Sequence, residues 1–385
     1  MTHLVYATIS WEFLNLTNRL SRINLVCFRL ITLILLFSSS IAFAEPIAFK
    51  FGISAPLSGV LAEYGSAIRN GIELAQKDRA AEFQKIELIF EDSQWDPKQA
   101  VSVFKFLHDV KKVDLIYSWG NPTSAAIAPI AQRLKVATIA MSSDPKITRN
   151  GNYVIRSLRS GEELGQLAAK NFQSRGFKKI GVVLAENSYV QGLFDGFEAE
   201  MKRGGATVDL LGRFDPSMQD FKSVVSKIKT GSYDAVGVLL ITGQVSTFFM
   251  QLQAQAISLP SFGADFFGSK TEIEAAGHGI NGAVFPDLGV TTAFRKRYYE
   301  VYGNDIQIAF AANAYDVASL VASAFASMPS GKLTSEQVLD ILRKQPSLAG
   351  AHGSFVFQQD DINGPAFVSQ IILRTIVNGD IRDIR

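Results

Sequence analysis

Apolar residues fall into two alternating patterns along this chain: short continuous runs, and longer stretches in which they recur every three or four positions. The first pattern predicts buried strands and the second amphipathic helices. Residues 47–53 form a run, and after the loop 54–65 comes a helical stretch with Ile68, Ile72 and Ala75 on one side. A run at 86–90 precedes a turn at Asp96 and Pro97 and a helical face of Val101, Phe104 and Leu107. Two more runs, 113–117 and 136–141, bracket another helical stretch. This β-α-β-α-β-α-β order predicts a parallel sheet with helices on both faces, because parallel neighbours need long connections and a helix buries its apolar face on the sheet.

The pattern then restarts. A strand is predicted at 153–157, a helix at 162–173, an apolar strand at 179–185, and a helix at 192–201 with Leu193, Phe194, Phe197 and Met201 inward. A helix at 220–229, a strand at 234–241, a helix at 245–255 and a strand at 259–263 complete a second α/β lobe. Beyond it lie a strand at 283–285, helices at 292–302, 311–328 and 335–344, and β-like segments at 354–358 and 367–376 around a turn at 360–364. Helices that bring no strands of their own must pack on an earlier sheet. The expected fold is therefore α/β, two doubly wound parallel-sheet lobes joined by a multi-strand hinge. Residues 45–156 with 288–350 are assigned to the first lobe, and 157–287 with 351–385 to the second.

Candidate chemistry follows from the strand ends. Ligands in open parallel sheets sit beyond the carboxyl ends of the strands, and the runs 113–117 and 136–141 both end in hydroxyl-bearing loops, 119–124 and 142–144. Ser124 is expected as a helix N-cap, leaving free N–H groups and the positive dipole end for an anion. Pro129 fits that start better than one at Asn121, because proline deep in a helix removes a hydrogen bond. Ser142 and Ser143 face the same crevice. Asp265, after a buried strand of the second lobe, can hold an ammonium group there. Tyr64 and Tyr189 at strand-to-helix loops, and Trp119 at the start of the hydroxyl loop, can cover an apolar ligand.

Composition narrows the setting. Arg19, Arg22 and Arg29 precede the apolar run 30–37, then three serines and Ala42, Phe43 and Ala44. That is a secretory leader pattern with cleavage expected between Ala44 and Glu45, and the run is shorter than the roughly 20 residues a membrane span needs. Taking three arginines and one glutamate from 38 basic and 36 acidic residues leaves 35 of each, so the exported chain is neutral and shows no nucleic-acid or polybasic membrane signature. Cys27, the single cysteine, lies in the leader, so neither a disulfide nor a thiol nucleophile is expected beyond it. His108, His278 and His352 lack metal-ligand spacing. The G-x-G-x-x-G at 277–282 precedes a predicted strand instead of following one, which is the wrong order for dinucleotide binding.

Several segments together resemble the leucine/isoleucine/valine-binding family of periplasmic solute receptors, the type I fold serving ABC importers. They are F-G-I-S-A-P-L-S-G-V-L-A-E-Y-G from Phe51, D-S-Q-W-D-P-K from Asp92, G-N-P-T-S from Gly120, S-S-D-P-K-I-T from Ser142, N-S-Y-V-Q-G from Asn187 and A-Y-D-V-A-S-L from Ala314. The resemblance covers nearly the whole chain after the leader. It implies a periplasmic, monomeric, cofactor-free and non-enzymatic receptor that captures a branched-chain or other amino acid and hands it to a membrane permease. It further implies that Ser124 and Ser143 hold the ligand's carboxylate and ammonium, that Asp265 pairs with the ammonium, that Tyr64 covers the side chain, and that Tyr189 is the family's second-lobe tyrosine. Two departures stand out: Thr123 occupies the position of a family cysteine, and Ile241 and Thr242 replace an expected aromatic, so Thr242 enters the candidate site. A sensory module of the same fold, with an amide, urea or aromatic-acid ligand, is the alternative. An exported hydrolase is less well supported, for want of a histidine near a crevice serine. Intact-mass measurement of exported protein is expected to find Glu45 as the first residue; retention of residues before Ala44 would contradict the leader reading.

Overall fold

A computed structural model describes residues 49–149, 151–326, 332–360 and 363–384. The leader expected over 1–44, with Cys27, lies outside the described residues. The chain begins with β1 (Phe49–Ala55), α1 (Ala62–Asp78), β2 (Ile86–Asp92), α2 (Pro97–Lys105), β3 (Leu115–Trp119), α3 (Asn121–Leu134), β4 (Thr138–Met141) and β5 (Val154–Arg156). It continues with α4 (Gly161–Ser174), β6 (Lys179–Ala185), α5 (Ser188–Arg203), β7 (Thr207–Phe214), α6 (Lys222–Thr230), β8 (Ala235–Leu239), α7 (Gln244–Ala254), β9 (Ser261–Gly263), α8 (Lys270–Ala276) and β10 (Val284–Leu288). Then come α9 (Thr292–Tyr302), α10 (Ile308–Phe325), α11 (Ser335–Arg343), β11 (Leu348–Gly350), β12 (Gly353–Asp360), β13 (Gly364–Val368), β14 (Ile371–Val377) and β15 (Asp380–Ile384).

Two sheets result. One has the order β11-β12-β13-β5-β4-β3-β1-β2 and the other β15-β14-β10-β9-β8-β6-β7. Strands β1 to β5 pair in parallel, as do β6 to β10, and each sheet gains antiparallel strands late in the chain. The central strands are buried on both faces, which is why they read as continuous apolar runs. Helix α10 has the length and hydropathy of a membrane span, yet Val317, Leu320 and Val321 pack into the core of the first lobe.

The structure corrects the expected assignment of 351–385 to the second lobe. Strand β12 pairs with β13, and β13 lies beside β5, so both belong to the first sheet; β14 and β15 belong to the second. The single β-like run expected at 367–376 is two strands in different sheets, divided at Ser369 and Gln370. Only Ser369, itself buried, and the exposed Gln370 mark the division, too short a polar break to read as a turn. Strand β7 was not expected either: it is an edge strand whose exposed positions break the apolar run.

The chain crosses between lobes after β5, after β10 and after β13. Asn313 on α10 accepts from Ser157 Oγ at 2.9 Å and donates to Ser157 O at 2.6 Å, fixing the first crossing. One turn on, the buried Asp316 carboxylate accepts the N–H groups of Ala351 at 2.6 Å and His352 at 3.0 Å. Thr291 N–H donates to Ala351 O at 2.9 Å and His352 Nδ1 to Gly289 O, which ties the second crossing to this loop. Gly289 N–H donates to Gln370 O at 3.0 Å, joining the third. Burial pushes the Asp316 carboxyl up to about 7 and the His352 imidazole down to about 4, so the histidine is a neutral donor near pH 7.

Helices α4 and α5 approach closely because glycines remove side chains from their contact. A Cβ at Gly165 would lie 2.0 Å from the carbonyl oxygen of Leu193. Gly165→Ala is therefore expected to destabilise the protein by about 1–3 kcal/mol in urea unfolding. Gly268→Ala, whose nearest contact is 3.5 Å away, should cost less than half as much.

Candidate functional site

The carboxyl ends of the central strands of both lobes face one cavity, with about 810 Å³ of unfilled space including the part open to solvent. On the first-lobe side, Gly120 adopts φ 96°, a left-handed conformation that glycine takes without strain, and its N–H donates to Met141 O at 3.1 Å. Helix α3 consequently starts at Asn121, with Pro122 in its first turn. This corrects the expected N-cap: Ser124 is already helical, with its N–H on Gly120 O and its Oγ 3.2 Å from that of Ser118. Pro129 lies within the helix.

Asn121 joins the two hydroxyl loops. Its Oδ1 accepts from Ser142 Oγ at 2.8 Å and from Ser143 N–H at 3.0 Å, while its Nδ2 donates to Ser143 Oγ at 3.1 Å. Ser143 accepts that bond, so its own proton can be donated into the cavity. Three aromatics form the adjoining wall, with ring centroids 5.3 Å apart for Tyr64 and Trp119 and 4.9 Å for Tyr64 and Phe310. Trp95 also lines the cavity, from a turn where Gln94 and Trp95 have φ 51° and 57°. Such left-handed residues cost roughly 1 kcal/mol or more each and concentrate at ligand sites.

On the second-lobe side, Asp265 follows β9 directly, and Tyr189 opens α5, whose N-cap Asn187 accepts the Tyr189 N–H at 2.8 Å. One carboxylate oxygen of Asp265 is shut from solvent and has no hydrogen-bond partner among the described residues. Burial pushes this carboxyl up to about 7; the Tyr189 hydroxyl, donating to it, opposes the rise, and the nearby Asp287 adds to it. Asp287, also lining the cavity, is raised by burial against the pull of Arg374, whose Nη1 lies 2.5 Å away. Burial first, and then the Asp265 charge, hold the Tyr64 and Tyr189 phenols well above their ordinary pKa, so both stay protonated. The Tyr64 hydroxyl also meets Thr242 across the cleft. Glu272 fixes the Thr242 loop by accepting the N–H groups of Gly243 and Ser246, the latter at 2.7 Å.

Of the residues singled out from the sequence, Tyr64, Trp119, Ser143, Tyr189 and Asp265 line the cavity. Ser124 and Ser142 are fully buried and do not line it, and Thr242 reaches the site only through the Tyr64 hydroxyl. Sequence reasoning missed Asn121, Trp95, Arg159, Phe266, Asp287 and Phe310. Asp287 had a usable signal, since it lies just past the predicted strand 283–285 as Asp265 lies just past 259–263. The site thus combines hydroxyl and amide donors, two carboxylates and an aromatic wall, an arrangement that can hold a small molecule with a charged end and an apolar body. Among the described residues, no cluster of three or more His, Cys, Asp or Glu could hold a metal ion.

The sequence profile described as periplasmic binding protein matches residues 48–371. The chain is 28% identical over 228 residues to Leu/Ile/Val-binding protein homolog 3 of Brucella melitensis, spanning 52% of this chain and 61% of that protein. It is 28% identical over 214 residues to Leu/Ile/Val-binding protein BraC3 of Rhizobium johnstonii, spanning 51% and 56%. It therefore aligns with little more than half the length of these curated relatives. In fold it is similar to the leucine binding protein LivK of Thermotoga maritima, with a TM-score of 0.77 and 22% identity over 88% of this chain and 98% of that one. A solute binding protein of R. palustris in complex with benzoate has a TM-score of 0.75 and 20% identity over 88% and 95%.

The position of Asp265 makes a stability test possible without a ligand. A carboxyl raised to about 7 in the fold contributes stability that is complete below its unfolded value near 4 and is lost as pH rises through 7. Asparagine mimics the protonated form at every pH. Unliganded Asp265→Asn is thus expected to match wild type near pH 4 and to exceed it at pH 8, by up to about 4 kcal/mol, in urea unfolding. Equal stabilities at pH 8 would contradict the burial of this charge.

Proposed function

The chain belongs to the periplasmic binding protein family, and from that premise we propose that its cleft captures a small zwitterion, an amino acid with a bulky apolar side chain, for delivery to an ABC permease. The observation that carries this reading is the Asp265 carboxylate, water-excluded and with one oxygen unpartnered, in a cavity walled by aromatics. A buried charge of that kind is costly unless it is paired, and a ligand ammonium supplies the pair. Ser143, oriented by Asn121, is a donor for the other end of the ligand. Tyr64, Trp119 and Phe310 offer apolar faces to a branched or aromatic side chain.

Binding and closure are linked in this reading. Ser143 belongs to the first lobe and Asp265 to the second, so a ligand that touches both engages fully only in the closed state and shifts the population toward it. A micromolar affinity needs roughly 8 kcal/mol net, within reach of a few charge-assisted hydrogen bonds in a cleft that excludes water. An aromatic acid without an amine is the second reading. It is favoured by the aromatic wall and by an Asp265 carboxyl that can be protonated near pH 7.

A thermal-shift screen of the exported protein against amino acids, amides and aromatic acids tests the proposal, because a ligand selective for the folded form raises the melting temperature. With the amino acid so found, titration calorimetry is expected to show a loss of roughly thirtyfold to several thousandfold for Asp265→Asn, the effect of truncating one side of a buried charge pair. Ser143→Ala removes one bond to a charged group and should cost less, about 1.5–3 kcal/mol. A ligand lacking an amine, or Asp265→Asn binding within about twofold of wild type, would refute the amino-acid reading.

A further inference from the structure

Among the described residues that line the cavity, Arg159 is the only Lys or Arg. It lies on the first crossing between lobes, and two bonds hold its guanidinium. Nε donates to Ser369 O of the third crossing at 2.9 Å, and Nη1 donates to Glu163 Oε1 at 2.8 Å. Glu163 is itself fixed, because its Oε2 accepts the Ser160 N–H at 2.9 Å in the capping box that starts α4. Nη2 makes no hydrogen bond within the protein among the described residues. The guanidinium is therefore oriented in advance by two separate elements, with one edge left over. Arginine loses little freedom on making one more bond in such a setting, and a planar guanidinium suits a carboxylate.

The carboxylates Asp265 and Asp287 stand on the second-lobe side of the same cavity. Asp287 has Arg374 as its partner, whereas no salt bridge to Asp265 is formed among the described residues. A ligand with a negative end and a positive end is matched by a cationic group at the crossing and an anionic group in the lobe. We propose that Arg159 anchors the ligand's carboxylate through Nη2, so that the receptor selects acids over their neutral amides. The inference rests on the reading of this cleft as the ligand site, but it does not depend on the ligand's having an amine. It also places the anchor on the hinge: a carboxylate on Arg159 bears on a side chain that already links the first and third crossings.

The test compares acid and amide pairs on the full exported protein by titration calorimetry: L-phenylalanine with L-phenylalaninamide, L-leucine with L-leucinamide, and benzoate with benzamide. Wild type is expected to prefer the acid of whichever pair binds by roughly tenfold or more, the scale of one hydrogen bond to a charged group. Arg159→Met should reduce that preference to about twofold, and Arg159→Lys, which keeps the charge on a different geometry, should restore part of it. If Arg159→Met does not fold, Arg159→Gln provides the same comparison. An acid preference unchanged in folded Arg159→Met, or a wild-type preference for the amide, overturns the anchor. Binding of benzoate alone, with the preference lost in Arg159→Met, supports the anchor and refutes the amine reading; binding of none of the six compounds overturns both.

Discussion

Two polar side chains one turn apart on a buried helix hold the lobes in register. Asn313 grips Ser157 on the first crossing, and Asp316 grips the loop at Ala351 and His352, which in turn holds Gly289 and Thr291 on the second. Both residues are fully buried in α10, a helix that otherwise fills the first lobe with apolar side chains. Polar groups in such a place are tolerated because they are partnered: Asn313 by Ser157 of the first crossing and the Tyr117 hydroxyl, Asp316 by the backbone of the loop that holds the second crossing. A carboxylate with two N–H donors and no cation is nevertheless uncomfortable, and the raised pKa of Asp316 records that.

The same tension recurs at the cavity between the strand ends. Asp265 and Asp287 are desolvated together, and only Asp287 has an arginine. Gln94 and Trp95 hold left-handed backbone conformations that bring the indole to the rim. Removing these features would make the unliganded protein more stable and less able to bind, the usual opposition between stability and a preorganised site.

Much of this was legible in the chain because two rules act locally. Double-faced burial turns central strands into apolar runs, and ligands gather where such runs end, which pointed to Ser143, Asp265, Tyr64 and Tyr189. What escaped was decided by tertiary contact. Trp95 comes from a strained turn, Arg159 from a crossing and Phe310 from a helix distant in sequence, and nothing beside them in the chain marks their destination. The N-cap at Ser124 was misjudged because the left-handed Gly120 lets the helix begin earlier, with Pro122 absorbed in the first turn. The crossing at Ser369 and Gln370 escaped because its polar break is only two residues long and lacks Gly, Pro, Asn or Asp, so the flanking apolar runs read as one strand.

That short crossing has a mechanical consequence. Strand β13 ends at Val368 and β14 begins at Ile371, so two residues separate a strand of one sheet from a strand of the other. An extended chain gains at most about 3.3–3.6 Å per residue, so this tether has no slack. A connection this short keeps the lobes from drifting apart or sliding past one another. In the closure proposed above, the facing surfaces of the lobes would meet again after each opening at a high effective concentration, as for any pair of sites joined by a short tether, and a captured molecule would have to outlast a rotation and never a diffusive search.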